Sequence, residues 1–230
     1  MWGRLSFFRS AIVTGGASGI GAAVVRLLEE EGTAVESLDL TTGFDVSDPA
    51  AWDAVGDVEF AFLNAGVGGS GGDLEGYRRM VGTNVDGVVF GVRRLEQVMK
   101  AGGSIVATAS LAGIVPMPAD PIYTLTKHAV VGYVRAVAPQ LEGRGIRINA
   151  VCPGFADTPI VSAELREWIA GEGIPLMQPE QVAEAVLVAA RSGDTGQAWV
   201  VQPGREPLQF RFPGVPGPRT PGTEGMRPAL

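Results

Sequence analysis

Residues 10–32 read SAIVTGGASGIGAAVVRLLEEEG, and the fold class can be predicted from the pattern of these residues. A short run rich in β-branched residues leads into a glycine-rich turn, and apolar residues at helical spacing follow the turn. Gly32 stands where a glycine commonly ends a helix. The apolar positions of the predicted helix include Ile20, Val24, Leu27 and Leu28. A strand, a tight turn and a helix in direct succession indicate the first unit of an α/β fold.

The same alternation continues along the chain. Further strands are predicted at 33–40, 58–66, 102–110, 146–154 and 197–204, and further helices at 49–55, 77–100, 121–142 and 179–192. Several of these strands are nearly continuous apolar runs, which is typical of a parallel sheet covered on both faces. The sequence therefore predicts a doubly wound, Rossmann-like α/β fold, with a parallel sheet of about seven strands and helices on both faces.

Composition narrows the classes of partner. The chain of 230 residues has a formal net charge of −7, which argues against binding to nucleic acid or to an anionic membrane. No apolar run reaches the roughly 20 residues that span a bilayer, and residues 1–16 do not resemble a signal peptide. Cys152 is the single cysteine, so a reducing cytoplasm is the expected location. We expect no metal site.

The pattern predicts one domain over residues 1–204 and a separate tail over 205–230. The tail is rich in proline and glycine and has no periodicity, so it is either a loosely docked segment or an arm. In the second case its apolar stretch PLQFRF, residues 207–212, lies on a neighbouring subunit.

The glycine turn is a candidate phosphate site. Gly15, Gly19 and Gly21 form a G-x-x-x-G-x-G pattern between strand and helix. Glycines at such positions let the backbone approach a pyrophosphate, whose charge is then met by the helix N-terminus. Taken alone, the cluster fits an ordinary tight turn as well.

Asp39, at the end of the second predicted strand, favours the dinucleotide interpretation. A carboxylate in this position accepts hydrogen bonds from the adenosine ribose and repels the additional phosphate of NADP. No lysine or arginine lies in 14–21 or in 39–44 to attract that phosphate. The predicted cofactor is therefore NAD.

Six motifs in order extend this pattern over most of the chain. They are TGGASGIG at 14–21, NAG at 64–66, TNVDG at 83–87, SIVATAS at 104–110, YTLTK at 123–127 and NAVCPG at 149–154. Together, over about residues 8–204, they resemble the short-chain dehydrogenase/reductase family in its single-domain form. The resemblance implies an NAD-dependent oxidoreductase that interconverts a secondary alcohol and a ketone. A catalytically silent nucleotide sensor or scaffold on the same fold is the alternative, although it has no need for the motifs around Ser110 and Tyr123.

The resemblance also implies the catalytic residues. Tyr123 acts as general acid and base, Ser110 orients the substrate oxygen, Lys127 binds the ribose, and Asn84 links Lys127 to solvent through water. Because Tyr123 and Lys127 are four positions apart, a helix places both on one face, and we expect the ammonium group to lower the pKa of Tyr123. His128 points about 100° away round the helix and is expected to pack or face solvent.

The remaining cofactor contacts also follow from the resemblance, although each has the composition of an ordinary turn. The full set is Gly15, Ser18, Gly19, Ile20, Gly21, Asp39, Asp45, Val46, Asn64, Ala65, Gly66, Tyr123, Lys127, Pro153, Gly154 and Thr158. One departure from the family pattern concerns the segment between Asp39 and Asn64. It is short, which predicts a trimmed helix on one flank of the sheet.

Substrate choice is expected to depend on three loops, at 66–73, 111–121 and 155–179. The last is rich in apolar residues, which either form a mobile lid for a hydrophobic alcohol or ketone or pack the loop against the core. Arg166 in this loop is a candidate partner for an acidic group.

The resemblance implies a homotetramer or homodimer paired through the helices at 77–100 and 121–142. Three valines of the second helix either support that contact or face the sheet: Val130, Val134 and Val137.

Overall fold

The computed structural model describes residues 6–69, 72–217 and 222. Within them, seven strands form one sheet in the order β2-β1-β3-β4-β5-β6-β7. The strands are β1 Ser10–Thr14, β2 Ala34–Leu38, β3 Phe60–Leu63, β4 Ser104–Thr108, β5 Arg147–Pro153, β6 Ala198–Val201 and β7 Leu208–Gln209. Every pairing from β2 to β6 is parallel, and β7 adds to the edge in the antiparallel direction. This sheet confirms the predicted α/β class.

Helices cover both faces of the sheet. They are α1 Gly19–Glu30, α2 Leu74–Val81, α3 Gly87–Val98, α4 Pro121–Glu142, α5 Ala163–Gly171 and α6 Pro179–Arg191. Buried residues of α1 and α6 share one apolar core with the sheet, and those of α3 and α4 share the other. The carboxyl ends of the parallel strands therefore meet at one edge, between the two helical layers.

The helix predicted over 77–100 is interrupted. Residues Gly82–Asp86 form a π-helical turn between α2 and α3, and such turns occur often at functional sites. The interruption places Asn84 in the interior of the protein, where only 1% of its surface is exposed.

The trimmed flank that the sequence predicts is present between β2 and β3. Two 3₁₀ segments, Leu40–Thr42 and Pro49–Ala54, form the regular structure of this crossover. Trp52 of the second segment is buried, and its indole N–H donates to the carbonyl oxygen of Val46 at 3.0 Å. One aromatic side chain thus fills space on this face of the sheet and fixes the preceding turn.

The segment beyond residue 204 begins on the sheet of its own chain. Phe210 and Phe212 pack against the core beside β7, and the guanidinium of Arg135 lies 3.8 Å from the centre of the Phe212 ring. In the described residues PLQFRF therefore contacts its own domain, and its contact with a neighbouring subunit stays a prediction. Residues 218–221 and 223–230 of the predicted tail lie outside the described residues, and the boundary at 204 stays a prediction.

The three valines proposed for a subunit contact lie in the core instead. Val130, Val134 and Val137 are all buried and belong to the cluster that packs on the sheet. They therefore give no support to a subunit interface. Among the residues that the structure describes, none of the helices is both long and apolar enough to cross a membrane.

We predict that Gly91→Ala destabilises the protein because α3 packs closely on Trp52. An added Cβ would lie 2.7 Å from the Trp52 ring and 2.9 Å from Leu63 Cδ2. Overpacking of this kind costs about 1–3 kcal/mol of unfolding free energy, measured by urea denaturation. Gly171→Ala is the control, since no atom lies within 4 Å of its added Cβ. Equal stability of the two variants would contradict the packing described for Trp52.

Candidate active site

The glycine turn brings three chain segments into close contact. An added Cβ on Gly21 would lie 2.0 Å from the carbonyl oxygen of Gly15 and 2.8 Å from Nδ2 of Asn64. Gly15 and Gly19 have positive φ angles of 65° and 52°, a region that glycine adopts without strain. Larger residues at Gly15 or Gly21 therefore do not fit this turn.

The turn ends at the N-terminus of α1. Ser18 occupies the N-cap position but makes no side-chain capping hydrogen bond, and Ile20 follows in the first turn of the helix. The first turn contains no acidic residue. An anion beside this turn would meet backbone N–H groups and the positive end of the helix dipole.

Thr14 joins the glycine turn to the turn after β3. Its buried hydroxyl accepts hydrogen bonds from the backbone N–H groups of Asn64 at 2.8 Å and Ala65 at 3.0 Å. The side-chain oxygen of Asn64 in turn accepts from the hydroxyl of Thr108 at 3.1 Å. The ends of β1, β3 and β4 are thereby held in one network.

Asp39 lies beside the glycine turn, as the sequence predicts. Its carboxylate accepts from the backbone N–H of Ala17 at 3.2 Å and from the N–H and hydroxyl of Thr41 at 2.9 and 2.8 Å. Partial burial acts to raise the pKa of Asp39, but the hydrogen bonds from Thr41 and Ala17 outweigh it and lower the pKa. None of the ion pairs among the described residues involves Asp39.

Asp45 and Val46 form the next turn along this edge. The Asp45 carboxylate accepts from the backbone N–H and the hydroxyl of Ser47, at 2.9 and 2.7 Å. Val46 is buried, and Trp52 binds its carbonyl oxygen. The pair is therefore held in position despite the short crossover.

Ser110 and Tyr123 come together after β4 and at the start of α4. The Ser110 hydroxyl accepts from the backbone N–H of Ala112 at 3.1 Å. Burial raises the pKa of Tyr123 to about 12, the hydrogen bond with Ser110 acts to lower it, and the charge of Asp120 raises it. Tyr123 thus has the catalytic serine of the predicted set at its hydroxyl.

Lys127 is buried one turn further along α4. Its ammonium nitrogen lies 5.4 Å from the centre of the Tyr123 ring and donates to the carbonyl oxygen of Thr108 at 2.9 Å. Burial lowers the pKa of Lys127 to about 8, against an opposing contribution from Cys152. The amine is therefore half protonated near pH 8 and becomes neutral above it.

The expected low pKa of Tyr123 does not hold for the protein without cofactor. We expected Lys127 to lower that pKa, but burial removes the tyrosine hydroxyl from water and raises its pKa to about 12. The same burial weakens the positive charge of Lys127 itself above pH 8. The effect of desolvation on the Tyr123 pKa is therefore larger than the effect expected from a lysine one helical turn away.

Asn84 is bonded on both sides of its amide. Its side-chain oxygen accepts from the N–H of Val67 at 2.8 Å, and its nitrogen donates to the carbonyl oxygen of Val67 at 2.9 Å and to the hydroxyl of Thr126 at 3.1 Å. An added Cβ on Gly66 would lie 3.4 Å from this amide oxygen and 3.5 Å from Nζ of Lys127. Gly66, Asn84 and Lys127 therefore share one small region.

The single histidine and the single cysteine are not positioned for catalysis. His128 is exposed, and its Nδ1 lies 3.0 Å from the carbonyl oxygen of Thr124. Cys152 is buried, and burial raises the pKa of its thiol to about 12. Neither is placed as a nucleophile or base, and the described residues contain no group of side chains arranged to hold a metal ion.

Thr158 borders the glycine turn from the loop after β5. An added Cβ on Gly19 would lie 3.1 Å from Cγ2 of Thr158. Arg166 of α5 pairs with Asp157 and donates to the carbonyl oxygen of Thr158 at 2.9 Å. This arginine, considered as a partner for an acidic ligand, is instead engaged within its own loop. Pro153 is buried at the end of β5, and the N–H of Gly154 donates to Val201.

The loop at 155–179 divides its apolar residues between packing and surface. Val161, Ile169 and Met177 are buried, whereas Ile160 and Trp168 are exposed. The segment is not all loop, because it contains α5. The packing alternative therefore applies to the buried residues, and the role of the exposed ones as a lid stays a prediction.

Gly68 lies between this loop and Tyr123. An added Cβ on Gly68 would meet Ile160 Cγ1 at 3.3 Å and Tyr123 Cδ2 at 3.6 Å. The surface around Tyr123 is therefore apolar on the side of Ile160. Residues 70 and 71 of the predicted loop at 66–73 lie outside the described residues.

Three groups of this region were missed by reasoning from the sequence: Thr14, Thr108 and Asp120. Thr14 and Thr108 contribute through a buried hydroxyl and a backbone carbonyl, for which the sequence has no distinctive signal. Asp120 did have a distinctive sequence signal, since an aspartate directly before a proline marks a helix start.

Comparisons with known proteins agree with the geometry. A sequence profile of the family described as enoyl-(acyl carrier protein) reductase matches residues 44–205. A cis-4-hydroxycyclohexanecarboxylate dehydrogenase from Sinomonas cyclohexanicum is 34% identical, over 79% of this chain and 89% of its own. A cyclohexanol dehydrogenase from an Acinetobacter strain is 30% identical, over 83% of this chain and 92% of its own.

A solved structure also resembles this fold. The 3-ketoacyl-(acyl-carrier-protein) reductase from Brucella melitensis, complexed with NADH, superposes with a TM-score of 0.77 at 26% identity. The match covers 86% of this chain and 98% of that one. The similarity therefore extends over the sheet and its surrounding helices.

We predict that Lys127 titrates near pH 8 in the cofactor-free protein. The chain has two lysines, and the other, Lys100, is exposed and paired with Asp57. Because burial favours the neutral amine, raising the pH through about 8 removes the proton from Lys127. NMR of protein labelled with ¹³C at the lysine ε-carbon gives two signals, and Lys127→Met assigns them. Titration of the Lys127 signal at about pH 10, the ordinary value for lysine, would show that Lys127 is solvated.

Proposed function

Because the chain belongs to the short-chain dehydrogenase/reductase family and interconverts a secondary alcohol and a ketone, we propose that it does so with NAD(H) and with Tyr123 as general acid and base. The observation that carries the proposal is the meeting of three side chains. The Ser110 side chain acts on the tyrosine hydroxyl, and the Lys127 nitrogen lies 5.4 Å from the centre of the tyrosine ring. A silent nucleotide-binding protein would not need this arrangement, and the relatives named above are enzymes.

The residues present fit a nicotinamide dinucleotide. Gly15 and Gly21 approach closely and carry no side chains, so a pyrophosphate would meet the backbone at the start of α1. Asp39, Asp45 and Val46 would hold the adenosine half. The other proposed contacts are Ser18, Gly19, Ile20, Asn64, Ala65, Gly66, Pro153, Gly154 and Thr158. A dinucleotide bound in this way supplies the hydride acceptor for alcohol oxidation and the hydride donor for ketone reduction.

NAD is preferred over NADP because of Asp39. Its lowered pKa keeps the carboxylate ionised at neutral pH, and the described ion pairs leave its charge without a cation. An ionised carboxylate accepts hydrogen bonds from ribose hydroxyls and repels a phosphate in the same place.

The protein side of the reaction is a proton transfer at Tyr123. In oxidation the tyrosine oxygen takes the proton of the alcohol, and in reduction it returns a proton to the ketone oxygen. Ser110 donates a hydrogen bond to the same oxygen and orients it. Lys127, when protonated, stabilises the phenolate, and Asn84 holds the loop behind it as part of the path for the proton to solvent.

The proposed substrate is a small apolar alcohol or ketone, such as the cyclohexanol named for the Acinetobacter relative. Ile160 and Gly68 give an apolar approach to Tyr123, and the rings of Phe155 and Trp168 are 6.3 Å apart in the same loop. Exclusion of water by these groups would protect the hydride transfer. Gly173 has a positive φ of 66°, so the loop has a candidate hinge.

Assembly and location remain predictions. A homotetramer or homodimer is expected from the family, and light scattering at micromolar concentration would test it. The cytoplasm is expected because Cys152 is the single cysteine and is buried.

We predict that Tyr123→Phe abolishes turnover while cofactor binding persists. Phenylalanine keeps the ring but cannot transfer a proton, so kcat should fall by about 100-fold or more. The assay follows absorbance at 340 nm with cyclohexanol and NAD and with cyclohexanone and NADH. Tyr133→Phe on the same helix is the control and should retain activity. Near-normal turnover of Tyr123→Phe would refute the proposed mechanism.

We predict that Asp39→Asn shifts the cofactor preference toward NADP. The variant keeps an oxygen for Thr41 but loses the charge, so the Kd for NADH should rise about tenfold or more and that for NADPH should fall. Fluorescence titration with both reduced cofactors measures this. Asp48→Asn, at the cap of the Pro49–Ala54 segment, is the matched control. Unchanged constants in Asp39→Asn would mean that another residue contacts the ribose.

A further inference from the structure

Asp120 connects two elements that border Tyr123. One carboxylate oxygen accepts from the backbone N–H of Tyr123 at 2.9 Å and thereby caps the first turn of α4. The other accepts from the backbone N–H of Gly69 at 3.0 Å. A single half-buried side chain thus joins the start of the helix to the end of the loop at 66–69.

That loop forms one wall of the space beside Tyr123. Gly68 lies against the tyrosine ring and Ile160, and Val67 is held by Asn84 from behind. Gly69 itself has a positive φ of 69° and is exposed. Without the Asp120 contact, the loop would be fixed at Val67 but not at Gly69, and its distance from the tyrosine ring would be less defined.

Asp120 is also the acidic group that acts on Tyr123. Around the tyrosine, Ser110 comes from the turn after β4, Lys127 from α4 and Cys152 from β5 beside Lys127. The loop at 66–69 contributes glycines and Val67, and the loop after β5 contributes Ile160, so neither adds a charge there. The negative charge of Asp120 favours the neutral phenol and opposes the effect of Lys127.

We infer that Asp120 is a positioning residue that holds Tyr123 and the loop at 66–69 in register and places a negative charge near the tyrosine. The inference rests on the proposed role of Tyr123 as acid and base. A purely structural cap would stabilise α4 without affecting proton transfer. A positioning residue changes both the pH at which the tyrosine works and the fit of the substrate beside it.

The test compares pH profiles of alcohol oxidation for the wild type and Asp120→Asn. Asparagine still caps the Tyr123 N–H but loses the charge and the acceptor for Gly69. Loss of the negative charge should move the rising limb of kcat to lower pH by about half a unit to one unit. The KM for cyclohexanol should increase about fivefold, as expected for one lost hydrogen bond, with maximal kcat within about twofold. Asp48→Asn is the matched control and should change neither.

The two variants distinguish a failure of the role inferred for Asp120 from a failure of the acid and base role proposed for Tyr123. If Tyr123→Phe is inactive while Asp120→Asn keeps the wild-type profile and KM, the inference is wrong and the tyrosine mechanism stands. If Tyr123→Phe is active, the proposed function itself fails.

A second measurement does not depend on turnover. Labelling with ¹³C at the tyrosine ζ-carbon gives three signals, from Tyr77, Tyr123 and Tyr133, and Tyr123→Phe identifies one. In Asp120→Asn this signal should begin to titrate at lower pH than in the wild type, with the other two unchanged. An identical titration in both proteins would overturn the inference even if the variant were inactive.

Discussion

The close approach of Gly21 to Gly15 is the constraint on which the rest of this structure depends. With only hydrogen at the α-carbon, α1 begins directly over the end of β1, and Asn64 enters the same space from the end of β3. Thr14 then bonds both N–H groups of the next turn, and Thr108 bonds Asn64. The end of β4 is in this way set relative to the glycine turn. Ser110 follows β4, so the hydrogen bonds around the glycine turn also fix the position of this proposed catalytic residue.

The second constraint is the cost of burying ionisable groups beside one another. Lys127 is buried and Tyr123 is half-buried, and the pKa values of both move toward the neutral forms. Two neighbouring groups act on the pKa of Tyr123 in opposite directions: Ser110 favours the phenolate, whereas Asp120 favours the phenol as burial does. The carbonyl oxygen of Thr108 holds the Lys127 amine in place whether or not it is protonated. Hydrogen bonds therefore fix the positions of these side chains, and burial together with the neighbouring groups sets their pKa values.

The shortened crossover shows how a sheet tolerates the loss of a helix. Between β2 and β3 the chain covers its flank with Trp52, which packs on Gly91 and holds the Val46 carbonyl. Burial of one large aromatic ring provides much apolar contact from few residues. The same side chain fixes the turn of Asp45 and Val46, so the trimming leaves the adenosine end with a defined shape. At the opposite edge, β7 and two phenylalanines cover β6 in a comparable way.

Four features can be predicted from the residues alone, because they depend on local spacing and on backbone sterics. They are the order of strands and helices, the glycine turn, Asp39 at the end of β2 and the shared helix face of Tyr123 and Lys127. The sequence also showed that the segment after Asp39 is short. Only the tertiary structure decided that Val130, Val134 and Val137 face the sheet, that PLQFRF lies on its own domain and that Arg166 pairs within its loop, since each depends on segments distant in the chain. The raised pKa of Tyr123 is another feature that depends on the tertiary structure. Spacing along the helix placed a cation near it, but the surrounding protein removed water from both groups, and that desolvation outweighs the charge.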